Sequence, residues 1–257
     1  MTSVAAPARR PSSLLLPTLL TLAMLAALIG LGTWQLQRLA WKQSLIAAVS
    51  ERTKQAPVEA PLAAEWPGLD SDALEYRHVR VTGRFDHAAE VQVFTDLPDP
   101  KGKAGGLGYW VMTPLRRDDG SIILINRGFV PQDRRDPSSR SEGQVEGPVT
   151  VAGLARWSEG RNAFTPDDNP QKGDWFTRDV KAIAAAKNLT QVAPFFIDAE
   201  ASAPGGLPQG GETRLVFPNR HLEYALTWYG LAIALAGVYL VFAWRRRAGR
   251  QPGLEKA

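Results

Sequence analysis

Two long apolar runs bracket the chain. The first extends from Leu14 to Leu36, broken only by Pro17, the hydroxyls of Thr18, Thr21 and Thr33, and Gln35. The second runs without a charge from Ala225 to Trp244 and ends in Arg245-Arg246-Arg247. At about 1.5 Å per helical residue, each is long enough to cross a hydrocarbon core of ~30 Å. The first run exceeds the apolar stretch of about 7–15 residues in a secretory signal, so an uncleaved anchor is expected. Trp34-Gln35-Leu36-Gln37-Arg38 at its end also offers no small-x-small cleavage site. Two spans put both termini on one side. The arginines after Trp244 assign that side to the cytoplasm by the positive-inside rule, which leaves the intervening segment extracytoplasmic.

The pattern divides the chain into a cytoplasmic tail (1–12), a first span (13–37), a helical extension and linker (38–75), a folded domain (76–200), a second linker (201–217), a second span (218–244) and a basic tail (245–257). The domain reads as strands. Tyr76 to Phe85 and Glu90 to Thr95 alternate apolar and polar positions, with Gly83 as a candidate bulge. Tyr109 to Leu115 and Ser121 to Asn126 are joined by a turn carrying Asp119-Gly120, a hairpin signal. Ile122 to Ile125 is apolar at every position, which predicts a central strand buried on both faces. Val149 to Ala155, Trp175 to Thr177 and Phe195 to Ile197 complete the strands, and Asp179 to Lys187 is the one soluble helix, capped by Asp179. The expected fold is a membrane protein with two transmembrane helices bracketing a β-rich domain, a small barrel or sandwich with one helix.

Composition narrows the chemistry. The chain has 257 residues and a formal charge of +4. Arg9, Arg10 and the C-terminal basic cluster supply more than that excess, so the stretch between them is slightly acidic. The positive charge flanks the spans and leaves no basic stripe for nucleic acid. Cysteine is absent, which excludes disulfides, thiolate nucleophiles and cysteine-ligated metal. Three scattered methionines give a copper carrier no soft ligand cluster.

The outer ends of the two spans carry the candidate site. His221, Tyr224 and Trp228 share one face of the second helix, and Trp34, Arg38 and Trp41 share one of the first. Antiparallel spans bring these ends to one depth, with an imidazole, the cations Arg38 and Lys42, and aromatic walls. Such a set suits a haem: an imidazole nitrogen for iron, cations for propionates, rings beside the macrocycle. Trp, Tyr, His and Arg also gather at interfaces as anchors, and the pattern alone favours that plainer reading. In the domain, His78 and His87 stand near no triad or metal pattern, and Asp167-Asp168 reads as solvated loop. Asn126-Arg127-Gly128-Phe129-Val130-Pro131 reads as a structural corner by default or, failing that, a partner-docking site through Asn126, Arg127 and Gly128. No nucleophile–base pair marks an enzyme.

Four motifs in order carry a resemblance. They are Gly32-Thr33-Trp34-Gln35-Leu36-Gln37-Arg38 with Trp41-Lys42; Gly108-Tyr109-Trp110-Val111-Met112-Thr113-Pro114; Asn126 to Pro131; and Asn219-Arg220-His221-Leu222-Glu223-Tyr224-Ala225-Leu226-Thr227-Trp228-Tyr229-Gly230. Over nearly its whole length the chain resembles the surfeit locus protein 1 family, membrane assembly factors for haem-copper cytochrome c oxidase. Arg220 stands where that motif commonly has a second Asn. The resemblance implies help in delivering haem a to, or inserting it into, the oxidase catalytic subunit, with His221 as iron ligand and no enzyme activity. Arg38 or Lys42 would meet propionates, and Trp34, Tyr224 and Trp228 would line the pocket. The implied partners are that subunit, the haem a synthesis machinery and membrane lipid. A scaffold that stabilises oxidase subunits without binding haem is the alternative. The short N-terminal tail leaves no room for an organelle transit peptide, which points to a bacterial inner membrane.

Overall fold

The computed structural model describes residues 14–215 and 219–248; the tail 1–12, Pro218 and the basic tail beyond Ala248 lie outside the described residues. The chain forms two compact units, Met1–Ile46 with Phe217–Ala257, and Ala47–Val216.

The first unit is built on two helices, each long and apolar enough to cross a membrane. One is α1 (Leu15–Lys54). It continues to Lys54 because nothing between Trp41 and Lys54 breaks a helix, and Arg52 and Lys54 suit its C-terminal dipole. Pro17 is accommodated because it falls in the first turn, where no intrahelical partner is lost.

The second unit is a closed five-stranded barrel. In chain order its elements are β1 (Val58–Glu59), the one-turn helix α2 (Ser71–Leu74), β2 (His78–Phe85), β3 (Val91–Leu97), β4 (Gly106–Arg116), β5 (Ile122–Pro131), β6 (Pro148–Trp157), α3 (Val180–Ala186) and β7 (Val192–Ala199). The strand order is β1-β2-β6-β7-β5-β4-β3, and a further β2–β4 pairing closes the ring β2-β6-β7-β5-β4. The chain then enters α4 (His221–Ala248) of the first unit.

Closure depends on Gly83. It pairs regularly with Val149 and is not the bulge expected of it. A Cβ there would lie 2.5 Å from the Arg116 carbonyl oxygen, beside the Arg84–Arg116 and Phe85–Leu115 pairs that join β2 to β4. Irregularities lie instead in β4, between Trp110 and Met112, and in the pairing of β5 with β7, between Ile122 and Leu124.

β5 is buried from Ile122 to Val130 for a physical reason. Ile123 and Ile125 point into the barrel with Val79, Val81, Leu115 and Phe195. Leu124 points outward into a second cluster with Met112, Val180, Ile183 and Phe196, under α3. Both faces are therefore core, as the unbroken apolar run predicted. Asp179 caps α3 by accepting from the Lys181 and Ala182 amides, and Asn188 ends it at a φ of 54°.

Three expectations need correction. Residues 56–70 are not a bare linker: β1 and a 3-10 turn (Ala63–Gly68) form there, and Ala60, Trp66 and Leu69 pack on the barrel core. Residues 201–212 likewise belong to the domain. Gln209 exchanges both backbone hydrogen bonds with Phe129, at 2.8 and 2.9 Å, and its side chain is buried. Trp175 makes a single parallel bridge to Val93 rather than a strand. The first two are Pro- or Gly-rich stretches whose order comes from packing, which local pattern does not record.

Candidate functional site

The candidate residues stand on the paired helices α1 and α4. The less exposed positions of α1 recur at alternating steps of three and four: Thr18, Thr21, Leu25, Leu28, Gly32, Gln35, Leu39, Lys42. Those of α4 do the same at His221, Ala225, Trp228, Ala232, Leu235 and Tyr239. A 3.5-residue repeat of this kind is the seam of a left-handed helix pair. Three polar contacts fix its register as antiparallel: Thr18 Oγ1 to Tyr239 hydroxyl at 2.5 Å, Thr33 Oγ1 to Tyr229 hydroxyl at 3.1 Å, and Gln35 to His221 at 2.7 Å. Gly32 provides the room, since a Cβ there would come within 2.8 Å of the Tyr229 ring.

His221 opens α4 and is partly buried. Its Nδ1–H donates to Gln35 Oε1, because a carbonyl oxygen only accepts. A neutral ring so held keeps its lone pair on Nε2. Among the described residues, nothing hydrogen-bonds that nitrogen.

The remaining candidates spread around this contact. Trp228 lies on the seam two turns along α4, while Tyr224, one turn along, is half exposed. Trp34 and Arg38 flank the seam on exposed positions rather than facing α4, and the Arg38 guanidinium lies 4.9 Å from the centre of the Trp41 ring. Lys42 is on the seam and partly buried, about 10 Å along α1 from Gln35 at 1.5 Å per residue. The helix faces are therefore rotated slightly from the expected ones: Gln35, not Trp34 or Arg38, meets His221. As a donor set, one imidazole with an open nitrogen, two nearby cations and aromatic side chains fit a haem with carboxylate substituents.

In the barrel, Asn126, Arg127 and Gly128 are buried and serve the domain's interior. Asn126 donates to Asp198 at 2.7 Å. Asp198 also accepts from Arg178 at 3.0 Å, Arg156 at 3.2 Å and the Thr213 hydroxyl at 2.9 Å. Burial opposes the charge on Arg178, but Asp198 and Glu159 outweigh it and hold the pKa above the ordinary arginine value. Glu159, in contact with Arg178, is held below the ordinary glutamate value: burial works against this, and the Arg178 hydrogen bond and charge overcome it. Gly128 adopts a φ of 123°, and a Cβ there would strike the Gln209 backbone, so only glycine fits beside that segment. Arg127 donates to the Gly143 carbonyl and shares Glu90 with Arg140. Burial brings its pKa down to about 10, Glu90 opposing and Arg140 adding to the fall, so it stays charged at neutral pH. His78 bridges the Gln55 carbonyl and Glu200, His87 contacts the Val145 carbonyl, and Asp168 is tied to the Phe176 amide, Thr177 and Arg161. Among the described residues no group of three or more His, Cys, Asp or Glu side chains is arranged to hold a metal ion.

The model of the SURF1 family matches residues 22–233, from within α1, through the whole barrel, to the middle of α4. The chain belongs to the SURF1 family. Human Surfeit locus protein 1 is 42% identical over 226 residues, which cover 83% of this chain and 72% of that protein. The Takifugu rubripes protein of the same name is 37% identical over 231 residues, 85% of this chain and 92% of its own. A SURF1-like protein of Drosophila melanogaster is 35% identical over 239 residues, 86% and 74% respectively.

Gln35 is the residue that reading by helix face missed. The signal was present: Thr18, Thr21, Thr33 and Gln35 interrupt the apolar run, and a polar side chain on a long apolar helix calls for a partner. The buried Asp198 cluster was less visible. Its members, Asn126, Arg156, Arg178, Asp198 and Thr213, lie on five separated segments and are brought together only by the fold.

Proposed function

We propose that this chain is a two-span membrane assembly factor for haem-copper cytochrome c oxidase, and that it holds haem a at His221 for the catalytic subunit without catalysing a reaction. The SURF1 family is involved in cytochrome c oxidase assembly, which supports the broad role. The single observation behind the finer one is His221, packed at the start of α4 against α1 with one ring nitrogen engaged and the other open. In this reading His221 Nε2 binds iron, Arg38 and Lys42 meet the propionates, and Trp34, Tyr224 and Trp228 flank the ring. Bound haem a would be cargo, presented near the membrane surface. The barrel would lie outside the cytoplasm of a bacterial cell, and both termini inside.

The test is the absorption spectrum of detergent-purified protein made alongside haem a synthesis, as wild type and as His221→Ala. A haem a band in the wild type and its loss from a folded His221→Ala protein is the expected result. A band that survives the substitution refutes His221 as ligand. No band in either, with oxidase assembly intact, refutes haem carriage and leaves a scaffold for oxidase subunits.

A further inference from the structure

We infer that Gln35 is a positioning residue for His221: its side-chain oxygen holds the imidazole in the Nδ1–H tautomer, so that Nε2 is the nitrogen presented to a ligand. This rests on the reading of His221 as an iron donor, but its physical content can be tested in the protein without haem.

The contact is 2.7 Å, from Nδ1 to Oε1. The two residues are 186 positions apart, so only helix pairing brings them together. A histidine that ligates metal through one nitrogen commonly donates the other N–H to a carbonyl or carboxylate, which fixes ring orientation and tautomer and raises the basicity of the ligating nitrogen. Gln35 occupies that position with an amide carbonyl. The arrangement is braced on both sides. Gly32, one turn earlier on the same seam, lets Tyr229 approach closely, and Ala225, one turn after His221, is buried against the partner helix. The backbone of α4 is therefore held at a spacing that a glutamine spans. A neutral amide also suits the place, because it orients the ring without a buried charge. Without Gln35 the ring would be free to turn, and the Nε2–H tautomer would withdraw the lone pair from the open side.

Only three histidines are present, which makes the test direct. Haem-free protein labelled with 15N-histidine is purified in detergent, and the His221 signals are assigned by their absence in His221→Ala. Long-range proton–nitrogen correlations then report the tautomer in wild type, Gln35→Leu and Gln35→Glu. We expect Nδ1–H in the wild type, its loss in Gln35→Leu, and its return in Gln35→Glu, whose carboxylate accepts the same hydrogen bond. Haem a retention is measured in parallel: it should fall by roughly 10–100-fold in Gln35→Leu, the usual effect of removing such a partner, and recover in Gln35→Glu. An Nε2–H signal in the wild type, or an unchanged tautomer in Gln35→Leu, overturns the inference. So does a changed tautomer with undiminished haem a. A wild type that shows Nδ1–H and retains no haem a overturns the carrier function instead, while the tautomer assignment stands. Thermal melting of each variant separates loss of the contact from loss of the fold, and rescue by Gln35→Glu is the outcome that a purely structural Gln35 would not give.

Discussion

Removing the charge of Asp198 should cost the barrel a large part of its stability. The carboxylate is 3% exposed and accepts four hydrogen bonds, two from the guanidiniums of Arg156 and Arg178. Arg178 is itself buried, and its Nε has no hydrogen-bond partner. It also packs on the rings of Trp110 and Phe196, with centroids 5.4 and 5.1 Å away. Asp198→Ala leaves that guanidinium in the same apolar surroundings with Glu159 as its remaining anion. Breaking a buried ion pair from one side costs about 3–5 kcal/mol, because the surviving charge cannot return to water. A domain of this kind has about 5–15 kcal/mol to lose. For a unit of its length, the change corresponds to a fall in Tm of roughly 6–20 °C.

The assay is thermal denaturation of the full chain in detergent, followed by near-ultraviolet circular dichroism, which reports packed aromatic side chains. Asp198→Asn is the informative companion. It preserves shape and can still accept from Asn126 or Thr213, but it carries no charge and turns amide hydrogens toward an arginine. It should therefore lose nearly as much as alanine. Asp167→Ala serves as the control: Asp167 is fully exposed where it meets Arg161, so Tm should not move. An Asp198→Asn protein that melts with the wild type would refute the argument, since hydrogen bonding alone would then account for the cluster.

Two further outcomes follow from the same electrostatics. Glu90 is the anion shared by Arg127 and Arg140, and the side chains of all three are at most 4% exposed. Glu90→Gln should thus cost about 3–5 kcal/mol in urea denaturation, and Arg127→Met, which removes the surplus charge, clearly less; equal losses would contradict a charge-based account. Glu159 has its folded-state pKa below the ordinary 4.5, so its contribution is fully present above that pH and is lost as pH falls through the folded value. Acid unfolding followed by tryptophan fluorescence should therefore be shallower below about pH 4.5 in Glu159→Gln, and a wild-type curve in that variant would exclude the contribution.

The sequence reveals the barrel where burial follows a local rule. Ile122 to Ile125 is apolar throughout because Ile123 and Ile125 face the barrel interior while Leu124 lies under α3, and a short unbroken apolar run marks such a strand without knowledge of its neighbours. Asp179 is legible as a cap for the same reason: its hydrogen bonds reach only two and three residues ahead. The order of residues 56–70 and 201–212 is not local. Ala60 is buried because β1 pairs with β2, and Gln209 because Phe129 accepts and returns its backbone hydrogen bonds. Pro and Gly content marks these segments as unable to form regular elements, but says nothing about whether a distant strand receives them.

The candidate site divides along the same line. His221 stands out as an imidazole just before the uncharged run from Ala225 to Trp244, and the cations Arg38 and Lys42 follow the end of the first apolar run. Which side chains meet across the pair depends on the angle at which two helices face each other, and a shift of one residue turns a helix by about 100°. Trp34, Arg38 and Trp41 share a face by their spacing of four and three, but spacing does not say which face meets the partner helix. The register, however, is set by Gly32 against Tyr229 and by the threonine–tyrosine contacts on either side. These small and hydroxylated residues tolerate close approach, so they determine the seam, and the large aromatic Trp34 is pushed to its flank. Gln35 follows Gly32 by three residues and is carried onto the seam with it. The residue that meets His221 is thus selected by Gly32, because the absence of a side chain there is what admits the Tyr229 ring.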